Sequence, residues 1–228
     1  MDEINWPAGL SPYKVMFYLQ PHIGGQESPL TRTRKTYGLS APRWIARLTF
    51  RAGHGYDDGG MSDRFGPRAD DAMFFAARLD ALIAQLKGGL QIVRFHDFRR
   101  PRPQSYLTMH SPVMTINAAS AGDNSIVINR EPGAVGPSIG DYIGGDGRPH
   151  LVTDVSPRLG SMMSKAGPDG KITLTFEPPL SADIEQDAEL EIERVTAPFE
   201  LTSEDAGQNE GEIGAPIDYV LEFSEKMP

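Results

Sequence analysis

The chain has 228 residues, of which 39% are hydrophobic, 8% aromatic and 23% charged, with no cysteine and a net charge of −9. Without cysteine there is no disulfide scaffold, no thiol nucleophile and no thiolate zinc or iron–sulfur site. No apolar run approaches the ~18 residues that a transmembrane helix needs, and an acidic chain is a poor general binder of phosphate backbones.

The start, MDEINWPAGLSPYK, has no basic segment leading into an apolar stretch, so no secretory signal is expected. The first strand predicted is Pro12–Pro21, rich in β-branched and aromatic residues and bounded by prolines. Residues 22–38 then read as a basic loop, with Arg32, Arg34 and Lys35 close together. A second strand, Arg43–Arg51, places Arg43, Arg47 and Arg51 on one face because the strand period is two. Residues 53–60 read as a glycine-rich loop.

The one helix expected runs from Pro67 to Lys87, with Phe75, Leu79, Leu82, Ile83 and Leu86 at helical spacing. Asp70 and Asp71 suit its first turn, Lys87 its last, and Gly88-Gly89 supplies the stop. A strand over Leu90–Phe95 follows, running into the basic, proline-interrupted stretch 96–103.

From about residue 105 the texture changes to short apolar runs at 113–116, 125–128, 141–143, 150–155, 171–176 and 188–195. The turn sequences Gly144-Gly145-Asp146-Gly147 and Gly167-Pro168-Asp169-Gly170 lie among them, which is the pattern of a small antiparallel barrel or sandwich. Residues 203–212 read as an acidic exposed loop, and Ile217–Phe223 alternates as a half-buried strand. Charge divides at the same place. Residues 1–104 carry 15 Lys/Arg against 10 Asp/Glu, a net of +5, and residues 105–228 carry 7 against 21, a net of −14. Such a split can orient neighbours in a head-to-tail or ring assembly, and two solvated surfaces of different composition explain it equally well.

Chemistry-bearing motifs are scarce. His22, His54, His96, His110 and His150 are scattered without metal-ligand spacing, and no nucleophile elbow, phosphate loop or dinucleotide fingerprint is present. His96-Asp97 beside Arg99 and Arg100 can be drawn as a base and an anion clamp, but ordinary polar use is the better account. Gly144–Gly147 has no helix after it and reads as a hairpin turn. Asp57, Asp58 and Asp63 do not match the spacing of a calcium loop. Glu189, Glu191 and Glu193 fall on one strand face rather than across a cleft, so a glycosidase pair is not expected. Arg99, Arg100 and Arg102, interleaved with Pro101 and Pro103, read either as an extended arm that docks on an acidic neighbour or as a stiff linker. No enzyme, metal or cofactor is expected from these residues.

The strand–loop–strand opening, the helix continuing as LDALIAQLKGGLQIVRF (residues 79–95) and the RRPRP exit resemble the distal tail (Dit-like) proteins of siphophages. So do Gly140–Arg148, His150–Thr153, Gly170–Leu180, the return Val195–Leu201 and the closing run Tyr219–Phe223. The resemblance implies a ring, usually sixfold, that joins the tail tube to the baseplate hub, in a virion tail assembled in the bacterial cytoplasm. The fold expected is mainly β (α+β). It comprises a sandwich-like tail domain with one helix, 1–104 plus 192–228, and an inserted small β-barrel or sandwich, 105–191. The expected partners are further copies of the chain, the tail tube protein and the hub protein. Neither nucleic-acid sequence recognition nor membrane insertion is expected. Arg43, Arg47, Arg51, Arg99, Arg100 and Arg102 are the candidate charged assembly contacts. The alternative is a carbohydrate- or receptor-binding β module of a phage or host surface protein, although 105–191 offers only Tyr106, Tyr142 and Phe176 as aromatics. A cell-wall hydrolase would need a carboxylate pair or metal cluster that the sequence does not present.

Overall fold

The computed structural model describes residues 3–53, 69–104, 113–115, 117–208 and 216–227. It is mainly β with one long helix, and it divides into two compact units. The first comprises residues 1–18, 44–99 and 198–227; the second comprises 19–43 and 100–197.

A six-stranded sheet is built from β1 (Glu3–Asn5), β2 (Lys14–Glu27), β3 (Arg34–Gly53), β4 (Ile92–His96), β13 (Thr196–Leu201) and β14 (Pro216–Glu225), in the order β1-β4-β13-β14-β3-β2. Strand β1 pairs with β4 in parallel, and β14 pairs antiparallel with both β13 and β3. Alternation along β3 sets the core of the first unit. Trp44, Ala46, Leu48 and Phe50 are buried, while Arg43, Arg47 and Arg51 face solvent. Val93, Phe95, Phe199, Leu201, Leu221 and Phe223 complete the buried side. Phe95 is its centre, stacked on Phe199 at 4.1 Å and edge-on to Trp6 and Phe223 at 5.2 and 5.1 Å.

Helix α1 (Ala69–Leu86) buries Leu79, Leu82 and Leu86 of the expected stripe and also Ala76, while Phe75 and Ile83 are half-buried. Pro67 and the side chains of Asp70 and Asp71 lie outside the described residues. The helix ends in a 3₁₀ turn, Lys87–Gly89, with Gly88 and Gly89 at φ 64° and 97°. A Cβ on Gly89 would stand 2.4 Å from the Leu201 carbonyl oxygen, so that close approach requires glycine. On β14, the buried Tyr219 phenol is pushed up to about 12 by burial and by the neighbouring Asp80 of the helix.

In the second unit, β5 (Met114–Thr115), β6 (Ser125–Asn129), β8 (Tyr142–Ile143), β9 (His150–Ser156) and β12 (Lys171–Glu177) form a five-stranded sheet in the order β5-β6-β12-β9-β8. A second, three-stranded sheet, β10-β11-β7, uses β7 (Val135–Gly136), β10 (Arg158–Leu159) and β11 (Met163–Lys165). Ile126 and Ile128, Val152 and Val155, and Ile172, Leu174 and Phe176 form one apolar core with Leu180, Ile184 and Leu190. Sequence patterning predicts all five strands of the larger sheet but none of the smaller, whose segments are only two or three residues long. The run 188–195 forms no regular strand: Glu191 makes a single bridge to Gly144, and the chain bends at 193–194 with Arg194 at φ 46°.

Two expectations change here. The span 22–38 is not a loop: β2 runs on to Glu27 and β3 starts at Arg34, so only 28–33 turn. The second unit also takes in residues 19–43, 100–104 and 192–197, all expected in the first domain, beyond the expected insert 105–191. The margins at 100–104 and 192–197 are joined to each other by Arg194 N–H to the Pro101 carbonyl at 2.8 Å, and to the insert by Gln104 N–H to the Asp141 carboxylate at 2.9 Å.

Phe95→Ala should cost about 3–5 kcal/mol of stability, because it removes the ring that touches Trp6, Phe199 and Phe223 together. Equilibrium urea denaturation measures this, and a loss under about 1 kcal/mol would show that the cluster repacks.

Candidate assembly surface

The six arginines singled out from the sequence all have partners in their own unit. Arg47 and Arg51 sit opposite Glu222 and Asp218 in the β3–β14 ladder and pair with them at 3.3 and 2.9 Å. The Tyr13 ring lies 5.1 Å from the Arg51 guanidinium, and its hydroxyl donates to Asp218. Arg43 donates to the Gln20 side chain at 3.3 Å. Arg100 donates to the Gly140 carbonyl at 2.8 Å and stands over the Tyr142 ring, and Arg102 lies 3.7 Å from Glu193.

Arg99 differs from the rest. Asp97 is almost fully buried and receives both the Arg99 backbone N–H and a two-nitrogen grip from its guanidinium. The same guanidinium donates to the Phe17 carbonyl at 2.6 Å. The buried carboxylate therefore fixes the bend after β4, and neither Asp97 nor Arg99 is disposed as a base or a clamp for a ligand. His96 packs on Phe98 at 4.9 Å between ring centroids. His54, Asp57, Asp58, Asp63, Tyr106 and His110 lie outside the described residues.

Two carboxylates of the second unit carry roles that the sequence does not announce. Asp146, in the turn between β8 and β9, is sealed from solvent and accepts from His150 Nε2 at 2.7 Å. It also accepts from the Ser181 N–H at 2.6 Å and the Ser181 hydroxyl at 2.7 Å. The other His150 ring nitrogen, Nδ1, lies 2.7 Å from the Pro178 carbonyl oxygen. Both ring nitrogens thus face acceptor oxygens. Burial alone would raise the Asp146 carboxyl, but its bonds to His150 and Ser181 outweigh that and hold it well below the usual carboxylate range. Asp141 shows the opposite balance. Burial raises it, and the bonds from Gln104 and Ser138 N–H only partly offset the effect.

The second unit also carries a surface with no core beneath it. Residues 19–43 form a two-stranded arm whose strands are bridged by His22 to Ser40 at 2.8 Å and closed by Ser28 N–H to the Thr33 carbonyl at 3.0 Å. Side chains on both faces are exposed along most of it. Ile23, Tyr37 and Leu39 are more than half exposed, and Leu30 at the tip is 94% exposed. Arg32, Arg34 and Lys35 form no ion pair among the described residues. In the same unit, Asp183, Glu185, Asp187, Glu189, Glu191 and Glu193 are all exposed, while Ile184 and Leu190 between them are buried. Among the described residues, only Glu193 of these six has a cation partner.

The arm escaped sequence reading because the period-two signal requires one buried face. Asp146 had a fainter signal, a histidine opening a buried strand, since a buried imidazole demands an acceptor. Compared with protein-family models and with curated proteins, the chain finds no match.

Asp146→Asn should destabilise the protein by about 1–3 kcal/mol at neutral pH, since the amide keeps only one of the two oxygens that face His150 and Ser181. The depressed Asp146 carboxyl stabilises the fold above the ordinary carboxylate range near pH ~4, and that contribution fades as pH falls toward its folded value. The gap between wild type and variant should therefore hold from pH 7 to about pH 4 and narrow below it in urea titrations. A gap independent of pH would show that the charge is not what matters. Arg99→Ala should cost roughly 1–3 kcal/mol, because Asp97 is buried, whereas Arg102→Ala should change stability by less than about 0.5 kcal/mol. Thermal denaturation of the two variants separates them, and equal effects would contradict the distinction.

Proposed function

We propose that this chain is a structural assembly subunit of the distal-tail type, a self-associating ring component at the end of a phage tail tube where the baseplate hub attaches. The observation that carries the reading is the arm over residues 19–43. A two-stranded ribbon that exposes Ile23, Tyr37, Leu39 and Leu30 buries almost nothing in the free chain, and such ribbons are marginal by themselves. A surface of this kind is explained by a partner that covers it.

The arginines support the same reading in a modified form. Arg99 belongs to the internal framework, and Arg43, Arg47, Arg51, Arg100 and Arg102 are exposed groups with weak local partners. An exposed pair is worth ~0–1 kcal/mol, so these five remain exchangeable for contacts with a neighbouring subunit. Among the described residues, the carboxylate–imidazole ion pair is Asp146 with His150, and both side chains, at 0–1% exposure, are closed to a substrate. Among the described residues no helix is long and apolar enough to cross a membrane.

The alternative, a carbohydrate-binding module, draws less support. Tyr142 and Phe176 are both buried, which removes two of the three aromatic rings of the insert from any sugar-stacking role.

Negative-stain electron microscopy of the concentrated protein tests the proposal. Closed rings with a central channel are the expected class averages. Particles of single-subunit size at every concentration would count against self-assembly and would turn attention to glycan binding.

A further inference from the structure

We infer that the arm of one copy docks on the acidic segment 183–193 of the next, an inference that rests on the self-association proposed above and names its two surfaces. The arm brings Arg32, Arg34 and Lys35 close to its turn, with Glu27 the only carboxylate between residues 19 and 43. The segment brings six exposed carboxylates within eleven residues, with Arg102 the only cation that pairs with any of them among the described residues. Apolar side chains on the arm supply contact area, and the charges supply the choice of seat.

The backbone of the acidic segment is already engaged, by Ile184 with Ala119 and by Glu191 with Gly144 in both directions. The arm therefore adds no strand there, and recognition runs through side chains. Charge also limits which surfaces can meet. A two-fold dimer that laid arm against arm would face cations with cations, and one that laid segment against segment would face carboxylates with carboxylates. Arm to segment is the favourable pairing, and made head to tail, as the proposed ring requires, it is heterologous.

The test uses two variants of the full chain, one with Arg32→Glu, Arg34→Glu and Lys35→Glu, the other with Glu185→Lys, Glu189→Lys and Glu191→Lys. All six side chains are exposed, and circular dichroism checks that the folds are kept. Sedimentation velocity in about 50 mM salt should show each variant associating at least about tenfold more weakly than the wild type. Mixed in equal amounts, the two should recover assembly, because each reversed arm then meets a reversed segment and each native arm a native one. Wild-type assembly should also weaken by about tenfold or more in about 500 mM salt. If the arm variant assembles as well as the wild type, or if the mixture recovers nothing, the docking inference falls while self-association stands. A wild type that sediments as a single chain at every concentration in low salt overturns both.

Discussion

Strand β3 is twenty residues long, and its inward side chains find a core over only half of that length. From Trp44 to Phe50 every second residue is buried beneath the aromatic cluster around Phe95, and this half holds the six-stranded sheet together. From Arg34 to Arg43 the same strand continues with side chains exposed on both faces. Backbone pairing with β2 satisfies its hydrogen bonds, but hydrogen bonds alone add little net stability without burial. A strand that outruns its own hydrophobic core needs a reason to exist outside the free chain. That imbalance underlies the whole functional reading.

The second unit solves a different problem. It is a small β structure with many turns, and its loops must be fixed without disulfides. Asp146 does this by gathering His150 at the start of β9 and both donors of Ser181 at the end of the 178–181 crossing. Asp141 does the same for the margin at Gln104 and the turn at Ser138. Buried carboxylates thus take the place that cross-links hold in other small domains, with the cost that removing one leaves several donors unsatisfied at once.

Much of the fold was legible in the sequence because burial leaves a periodic trace. Helix α1 showed its stripe at Leu79, Leu82 and Leu86, β12 showed Ile172, Leu174 and Phe176, and β3 showed its arginines on one face. What was not legible lacks such a trace. The arm alternates nothing, since neither of its faces is buried, and its Pro21, Gly24, Gly25 and Pro29 carry the composition of a loop. The sheet formed by β7, β10 and β11 rests on segments of two or three residues. The Asp146 cluster joins residues up to 35 positions apart, a proximity created only when the strands close. Arginines were easy to notice and hard to interpret, because cross-strand partners such as Glu222 and Asp218 come from the far end of the chain.

The arm has one further consequence, in time rather than in space. A hairpin with no third strand and no apolar underside opens far more readily than the sheet from which its strands continue. In a free subunit its amides would exchange with solvent hydrogen early, while those between Trp44 and Phe50 wait for global unfolding. In the proposed assembly, ordering such an arm would cost entropy at the moment of contact, which would keep each contact weak and correctable. An assembly built from such contacts can discard a misplaced subunit before the next one locks it in.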